Sequence, residues 1–402
     1  MNVKDQRDFY PCPITLSGEH NVNIHSVQFT HILEASDLER LDYFLSRTAF
    51  VISHKSESIE TLLRVLWYLP VNSSIIIVTN CPEMERDEIA RELRRHLAHH
   101  KRTYLVHQKD EAISQVFKEC GVYHILDANG KVIDGKGEGM YIGALCAYQL
   151  GYPEWVIFYD ADNFVPSALL EYTLAMSRLF MSAPFPTLCC ECDTFIVQRQ
   201  TESEAAPELH NVRICWSSKP ALGSEDWDAK IMGRCTRVVS PLFNSLLEEW
   251  FGIHNHAISS SNAGEQGMTI KTATTLRFSS GFSVETFQLL DLLSHAIGRK
   301  DFAERIILQQ YLSRSPHFHE KKGDEHIKRM IEESLGCFFH FEAFLPDTVK
   351  WQLQEIYDEQ RLKLVYPLVY PPIKDLPLER IETLMAQYRL STDADCQDML
   401  LV

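Results

Sequence analysis

The sequence predicts an α/β protein: a mostly parallel sheet flanked by helices, followed by a mainly helical C-terminal part. Between residues 48 and 160, short apolar runs alternate with helical segments, which is typical of βαβ units. The runs at 48–53, 74–79 and 155–160 are nearly all apolar, as expected of strands covered on both faces. From Glu285 onward, apolar residues recur at helical spacing.

The remaining elements follow from local patterns in the sequence. Pro82 is well placed in the first turn of a charged helix, because proline fits that position. The predicted helices are 59–69, 82–99, 110–119, 144–150 and 240–250, with a further helix through Phe302, Ile306 and Leu308. Further strands are predicted at 104–108 and over the segment VRICW.

A chain of 402 residues exceeds the usual size of one domain. We expect a nucleotide-binding domain at 1–250, which begins with a peripheral lead-in, and an acceptor-side and helical region at 251–402. The formal net charge of −16 argues against a nucleic-acid or anionic-membrane surface. An anionic substrate would therefore need a local basic pocket.

The compartment expected from the sequence is the cytoplasm. The first ten residues contain no apolar signal region, and no apolar run is long enough to cross a bilayer. Eleven cysteines, odd in number and irregular in spacing, are expected to be reduced thiols. The oligomeric state stays open, with a homodimer among the options.

Asp160 and Asp162 form the first candidate site. They end the apolar run WVIFYD and its continuation, and ligands gather at the carboxyl ends of parallel strands. Two carboxylates at this spacing can serve one hard divalent cation and the diphosphate that it neutralises. The alternative is a turn followed by a helix cap. The buried strand in front of the pair favours the metal site.

Lys136 and Gly137 belong to a glycine-rich stretch, DGKGEGM, predicted to be a loop before a helix. Glycines let the backbone approach a phosphate, and a helix N-terminus favours negative charge. A solvated surface turn is the alternative. His317 and His319 lie in PHFHEKKGDEH, whose imidazoles and carboxylates suit a divalent metal. A solvated polar turn is the common alternative for such a stretch, and the aspartate pair supplies the partner site that ligation needs.

An anionic acceptor has one candidate site in GRCTR. Gly233, Arg234 and Thr236 combine a guanidinium and a hydroxyl with room for close approach, and arginine's planar fork suits phosphate and carboxylate oxygens. A surface loop paired with nearby acids is the alternative. Glu285, after the run SSGFSV, could face a polar substrate from a strand end.

Six segments, taken in order, resemble the mannosyl-3-phosphoglycerate synthases, a family of retaining glycosyltransferases. They are GKGEGM, FYDADNFVP, GRCT, SNAGEQGMT, SSGFSVE and PHFHEKKGDEH, and the resemblance covers about residues 48 to 330. It implies a GT-A fold, GDP-mannose as donor, 3-phosphoglycerate as acceptor and a divalent cation, Mg²⁺ or Mn²⁺. By its order of motifs, the chain is similar to this family over most of its length.

The resemblance also implies roles for individual residues. Asp160 and Asp162 match the family's Asp-Ala-Asp motif, and Lys136 with Gly137 matches its diphosphate side. The other assignments are Glu57 to the nucleotide, Gly233, Arg234 and Thr236 to the acceptor, Glu285 to the transferred sugar, and His317 or His319 to the metal beside Asp162. Asp160 and Glu285 are thus the expected catalytic carboxylates.

Two other functions stay open on the sequence. The nearer one is a glucosyl-3-phosphoglycerate synthase, whose donor sugar differs only in the orientation of the hydroxyl at one carbon. The other is a sugar nucleotidyltransferase, although ISHKSE after the first strand is not the glycine-rich loop that such an enzyme needs. A binding protein that has kept the fold without catalysis is a third interpretation. Retention is compatible with a covalent intermediate or, as we favour, with front-face attack.

Overall fold

The computed structural model describes residues 22–27, 38–163, 165–181, 187–188, 195–196, 208–216, 233–253, 257–297, 305–315, 317, 323–377 and 384–390. The strands of its main sheet are β1 (Val22–Val27), β2 (Thr48–His54), β3 (Ser74–Thr79), β4 (Thr103–His107), β5 (Trp155–Asp160), β8 (Glu208–Cys215), β9 (Gln266–Thr269) and β11 (Arg305–Leu312). Four two-residue strands lie outside it: β6 (Thr187–Leu188), β7 (Phe195–Ile196), β10 (Phe278–Ser279) and β12 (Val369–Tyr370).

The helices of the described residues pack on the two faces of this sheet and in a separate helical cluster. They are α1 (Leu38–Ser46), α2 (Ile59–Leu66), α3 (Glu83–His96), α4 (Glu111–Glu119), α5 (Lys136–Gln149), α6 (Pro166–Met181), α7 (Arg234–Phe251), α8 (Ile270–Thr275), α9 (Val284–Ser294), α10 (Asp324–His340) and α11 (Asp347–Gln360).

The main sheet has the order β1-β11-β8-β9-β5-β2-β3-β4 among the described strands. All neighbours run parallel except β9, which is antiparallel to both β5 and β8. The strands β2, β3 and β5 are buried because helices cover both faces, and this is why their sequences are continuous apolar runs. The predicted mostly parallel α/β sheet is confirmed.

Two apolar clusters fill the layers on either side of β2 to β5. One contains α4 and α5, and the other contains α2, α3 and α6. Gly143 of α5 lies against β2, where a Cβ atom would come within 2.2 Å of Val51 Cγ1. The helix therefore sits close to the sheet, which fixes the position of its first turn. A third cluster joins α7, α9, α10 and α11, the helical C-terminal part.

The helix predicted through Ile306 and Leu308 is wrong, because these residues lie in β11 between β1 and β8. An inner strand that is covered on both faces has no polar alternation, so its short apolar run also matches helical spacing. The segment before residue 47 contributes the edge strand β1 and the wholly buried Phe44 of α1. These two elements are therefore part of the folded unit.

Strands from both sides of residue 250 belong to one sheet, so the division into two regions there stays a prediction. Among the described helices, none combines the length and the apolar character that crossing a membrane requires. Six cysteines of the described residues are free thiols: Cys81, Cys120, Cys146, Cys215, Cys235 and Cys337. The cysteine-rich segment at 189–192 lies outside the described residues.

Candidate active site

A cavity of about 590 Å³ opens at the carboxyl ends of β2, β3, β4 and β5. It collects most of the residues that the sequence singles out. Those on its wall are Glu57, Lys136, Asp160, Asp162, Gly233, Arg234, Thr236, Glu285 and His317. Gly137 is not on the wall, and His319 lies outside the described residues. Residues more than 200 positions apart thus meet at one place.

Lys136 lies on the cavity wall between two carboxylates. Its Nζ is 2.5 Å from Asp160 Oδ1 and 2.7 Å from Glu285 Oε1. Burial by itself lowers the pKa of Lys136, but the two carboxylates outweigh this and raise the pKa above the ordinary lysine value. The ammonium is therefore a permanent cation, suited to stabilising a diphosphate and unsuited to acting as a base.

Lys136 is the first residue of α5, so the glycine-rich stretch is the first turn of the helix and not the predicted loop. A Cβ on Gly137 would lie 1.8 Å from the carbonyl oxygen of Ser279. Gly137 thus allows α5 to pack against β10, which is a structural reason for glycine there. The N-terminus of α5 still points its positive dipole end toward the cavity wall at Lys136.

Glu138 ties this helix to the C-terminal part of the chain. It is fully buried, and its carboxylate accepts hydrogen bonds from the Tyr370 hydroxyl (2.5 Å) and the Gly281 N–H (3.1 Å). Burial raises the pKa of the Glu138 carboxyl, partly offset by these hydrogen bonds. Because Glu138 follows Lys136 by two residues, both partners help to fix the lysine.

Gly264 lies directly against the charged centre. A Cβ there would come within 2.3 Å of Asp160 Oδ2 and 2.8 Å of Lys136 Nζ. No side chain fits without moving one of the two charged groups. Close packing against Asp160 and Lys136 therefore explains why glycine occupies this position of SNAGEQ. The sequence alone does not reveal this.

Arg213 does not line the cavity, but it positions residues that do, and sequence reasoning missed it. It is fully buried in β8 and donates to the carbonyl oxygens of Ser260 (2.9 Å), Ser261 (3.1 Å) and Glu285 (3.0 Å), and to Gln266 Oε1 (2.9 Å). Burial lowers the pKa of Arg213 to about 10, and Glu285 opposes this shift. The guanidinium fixes the start of α9, where Glu285 lies in the first turn and not at the predicted strand end.

His317 is held in place by Trp216 and Glu265. Its ring stacks on the Trp216 ring with centroids 4.6 Å apart, and its Nδ1 is 3.4 Å from Glu265 Oε1. Glu265 also accepts hydrogen bonds from Trp216 Nε1 (3.1 Å) and Asn163 Nδ2 (3.2 Å). A carboxylate behind a histidine orients the imidazole for metal ligation. His317 therefore has the surroundings of a candidate ligand, and it lines the same cavity as Asp162.

The described residues contain no group of three or more histidine, cysteine or acidic side chains arranged to hold a metal ion. Magnesium is commonly held by one or two carboxylates together with substrate phosphates, and not by a cage of protein ligands alone. Asp162 and His317 line the same cavity, so a carboxylate and an imidazole are available there to a divalent cation whose further oxygen ligands a diphosphate would supply.

The predicted acceptor residues form the start of α7, which begins at Arg234, six residues before the predicted helix. Thr236 is buried and Arg234 is exposed, with Arg234 Nη1 2.7 Å from Asp324 Oδ1 of α10. The N-terminus of a helix of this length favours an anion through its free N–H groups and its dipole. Gly233 precedes it and lines the cavity.

Glu57 lies in the turn after β2, on the wall of the same cavity. Its carboxylate accepts the backbone N–H groups of Lys55 (3.0 Å) and Ser56 (3.2 Å), which fixes the turn. His54 supports the same turn, since its Nε2 bonds the Glu57 carbonyl and its Nδ1 bonds Thr79 Oγ1, each at 2.9 Å. The nucleotide side predicted from Glu57 is therefore well ordered.

Comparisons with known proteins agree with this arrangement. A family model described as mannosyl-3-phosphoglycerate synthase matches residues 14–385. The mannosyl-3-phosphoglycerate synthase of Pyrococcus furiosus is 31% identical over 339 residues, which cover 81% of this chain and 79% of that protein. The enzyme of the same name from Aeropyrum pernix is 32% identical over 310 residues, covering 73% and 72%.

A solved structure of glucosyl-3-phosphoglycerate synthase from Mycobacterium tuberculosis, in complex with Mn²⁺, UDP-glucose and glycerol 3-phosphate, is also similar. Its TM-score is 0.51 at 16% identity, and the match covers 86% of this chain and 98% of that one. At this identity the likeness concerns the fold alone. It agrees with the predicted GT-A type of sheet.

Proposed function

Because the chain belongs to the mannosyl-3-phosphoglycerate synthase family, we propose that it transfers mannose from GDP-mannose to 3-phosphoglycerate with retention of configuration. One observation carries the proposal: Lys136, held between Asp160 and Glu285, shares a cavity with the cationic first turn of α7. A donor diphosphate and an anionic acceptor can therefore be bound side by side. The cytoplasmic location and the homodimer are parts of the same proposal.

On the donor side, Lys136 stabilises the negative charge that develops on the departing GDP. Its ammonium is desolvated and already oriented, so little reorganisation is needed when the bond to the diphosphate breaks. Glu57 lies toward the nucleoside, and Asp160 positions Lys136 through their ion pair. These positions support a role for Lys136 in stabilising the leaving group.

The divalent cation, Mg²⁺ or Mn²⁺, would be held by Asp162 and His317, and it supplies Lewis-acid neutralisation of the diphosphate. Glu265 and Trp216 orient the His317 ring for this purpose. The Mn²⁺ bound in the structure of the mycobacterial enzyme supports a cation in the same kind of enzyme. His319, the other predicted ligand, stays a prediction.

On the acceptor side, Arg234 and the α7 N-terminus hold the phosphate of 3-phosphoglycerate, while Thr236 and Gly233 shape the adjoining wall. This local positive site offsets the net charge of −16 of the whole chain. The acceptor hydroxyl is thereby directed toward the sugar beside Glu285.

Retention by front-face attack fits the state of Glu285. Its carboxylate is bound to the Lys136 ammonium at 2.7 Å, which lowers its strength as a nucleophile. In front-face attack the acceptor oxygen bonds to the sugar C1 as the C1–diphosphate bond breaks, and the hydroxyl proton passes to the departing phosphate oxygen. Glu285 then stabilises the positive charge on the sugar.

The test offers GDP-mannose, GDP-glucose and UDP-glucose, each with 3-phosphoglycerate and Mg²⁺, and follows nucleotide release together with the anomeric proton of the product by NMR. We expect GDP-mannose to react fastest and to give an α-linked mannoside. Equal or better turnover with a glucose donor would overturn the donor assignment. Pyrophosphate formation from a sugar phosphate and GTP would indicate a nucleotidyltransferase instead.

A further inference from the structure

The strands beneath the cavity end at nearly the same height in the sheet. A donor can therefore lie across their carboxyl ends. In register, Asp160 of β5 is opposite Ser53 of β2, and Thr79 of β3 is opposite both His54 of β2 and His107 of β4. Neighbouring strands lie about 4.8 Å apart, so the end of β3 is about 10 Å from Asp160. With its diphosphate at Lys136 and Asp160, a donor places its base near the ends of β3 and β4.

Asp134 lies at that end of the cavity, next to Asn80 after β3. Its Oδ1 accepts hydrogen bonds from Asn80 Nδ2 (2.9 Å) and Lys109 Nζ (2.8 Å). Within the described part of the chain, Oδ2 accepts no hydrogen bond, and the side chain is 50% exposed. One oxygen of Asp134 is thus anchored, and the other is open to a ligand.

The backbone on both sides of Asp134 is fixed by Gln108. The Gln108 amide donates to the carbonyl oxygens of Ile133 (2.6 Å) and Gly135 (3.3 Å). Partial burial raises the pKa of the Asp134 carboxyl, but the hydrogen bonds from Lys109 and Asn80 outweigh this and lower the pKa below its usual value. The group is therefore a rigid carboxylate near neutral pH.

We propose that Asp134 selects a guanine nucleotide by accepting the N1–H and N2–H groups of the base. Guanine presents these two donors side by side, with the O6 acceptor next to them. Asn80 Nδ2 and Lys109 Nζ lie beside the carboxylate and supply donors for O6. Uracil offers a single N–H between two carbonyl acceptors, and adenine and cytosine place a ring acceptor beside their amino group. A carboxylate repels those acceptors.

This inference rests on the proposed function for its donor, and it assigns the base discrimination to a residue outside the transfer chemistry. The test measures the binding of GDP and UDP, in Mg²⁺, by titration calorimetry for the unaltered chain, Asp134→Asn and Asp134→Ala. The control is Asp87→Asn, whose carboxylate is 85% exposed on α3, away from the cavity. Both Asp134 variants remove the acceptor charge at a half-exposed position, so the fold should be kept.

We expect the unaltered chain and Asp87→Asn to prefer GDP. Both Asp134 variants should lose that preference by about 10- to 100-fold, as for loss of a charge-assisted contact of the base with Oδ2. An unaltered chain without preference for GDP, or Asp134 variants whose GDP-to-UDP ratio stays within about twofold of it, overturns the inference. The binding experiment does not measure sugar transfer, so the inference and the proposed function can fail separately. If the Asp134 variants lose the preference for GDP while the unaltered chain forms no mannosyl product in the transfer assay, the inference is supported and the proposed function is refuted.

Discussion

Arg234→Ala removes the guanidinium proposed to hold the phosphate of the acceptor. A charge-assisted hydrogen bond contributes about 1.5–3 kcal/mol, and each 1.4 kcal/mol is a factor of ten. We therefore expect the KM for 3-phosphoglycerate to rise by roughly 10- to 150-fold, with the KM for GDP-mannose nearly unchanged. Arg234→Lys should recover part of the loss, because an ammonium cannot reproduce the planar fork.

The fold should tolerate this change. Among the described residues Arg234 forms an ion pair with Asp324, whose side chain is 98% exposed, and exposed pairs contribute little to stability. Asp324→Ala is the matched control, since it removes the same ion pair but keeps the guanidinium. We expect it to leave the melting temperature unchanged and to change the KM for 3-phosphoglycerate by less than about twofold.

The assay follows GDP release in steady state, with each substrate varied in turn and melting measured in parallel. If Arg234→Ala weakens GDP-mannose while 3-phosphoglycerate binds as before, the start of α7 does not hold the acceptor. A rise in the acceptor KM for Asp324→Ala as large as that for Arg234→Ala would show that acceptor affinity depends on the ion pair with Asp324 and not on the guanidinium itself.

Three further changes probe the rest of the site. Asp162→Ala should abolish turnover at every concentration of added Mg²⁺ or Mn²⁺ without lowering the melting temperature, and near-normal activity in that titration would exclude it as a ligand. Gly264→Ala should lower kcat by about 100-fold, because the new Cβ displaces Asp160 or Lys136. An unchanged kcat would show that turnover does not depend on the present positions of Asp160 and Lys136. Arg213→Met should lower the free energy of unfolding in urea by about 3 kcal/mol, since it leaves buried carbonyl oxygens without donors, and a neutral result would contradict that role.

The part of the fold that could be predicted from the sequence is the part with strong local signals. The strands at 48–54, 74–79 and 155–160 are continuous apolar runs between helices, so both their strand conformation and their limits could be predicted. The carboxylates after the last of them followed from its position in a parallel sheet. By contrast, β11 is an inner strand whose short apolar run fits a helix equally well.

The missed site residues depend on contacts between distant segments. An arginine inside an apolar strand was a signal for Arg213, because a buried charge needs partners, but its partners in 260–285 could not be identified. Glu265 and Trp216 meet His317 from two other segments. The role of Asp134 depends on the level at which β3 and β4 end, which only the register provides.

The hydrogen bond between Tyr370 and Glu138 joins residues 232 positions apart, and it has a consequence for synthesis of the protein. Translation proceeds from the N-terminus, so β2 to β5 and α5 emerge from the ribosome well before Tyr370. Until then one oxygen of Glu138 lacks its partner, and the first turn that carries Lys136 is not fully fixed. The proposed donor site is therefore completed only near the end of translation, and a nascent chain on the ribosome should hold it in an unfinished form.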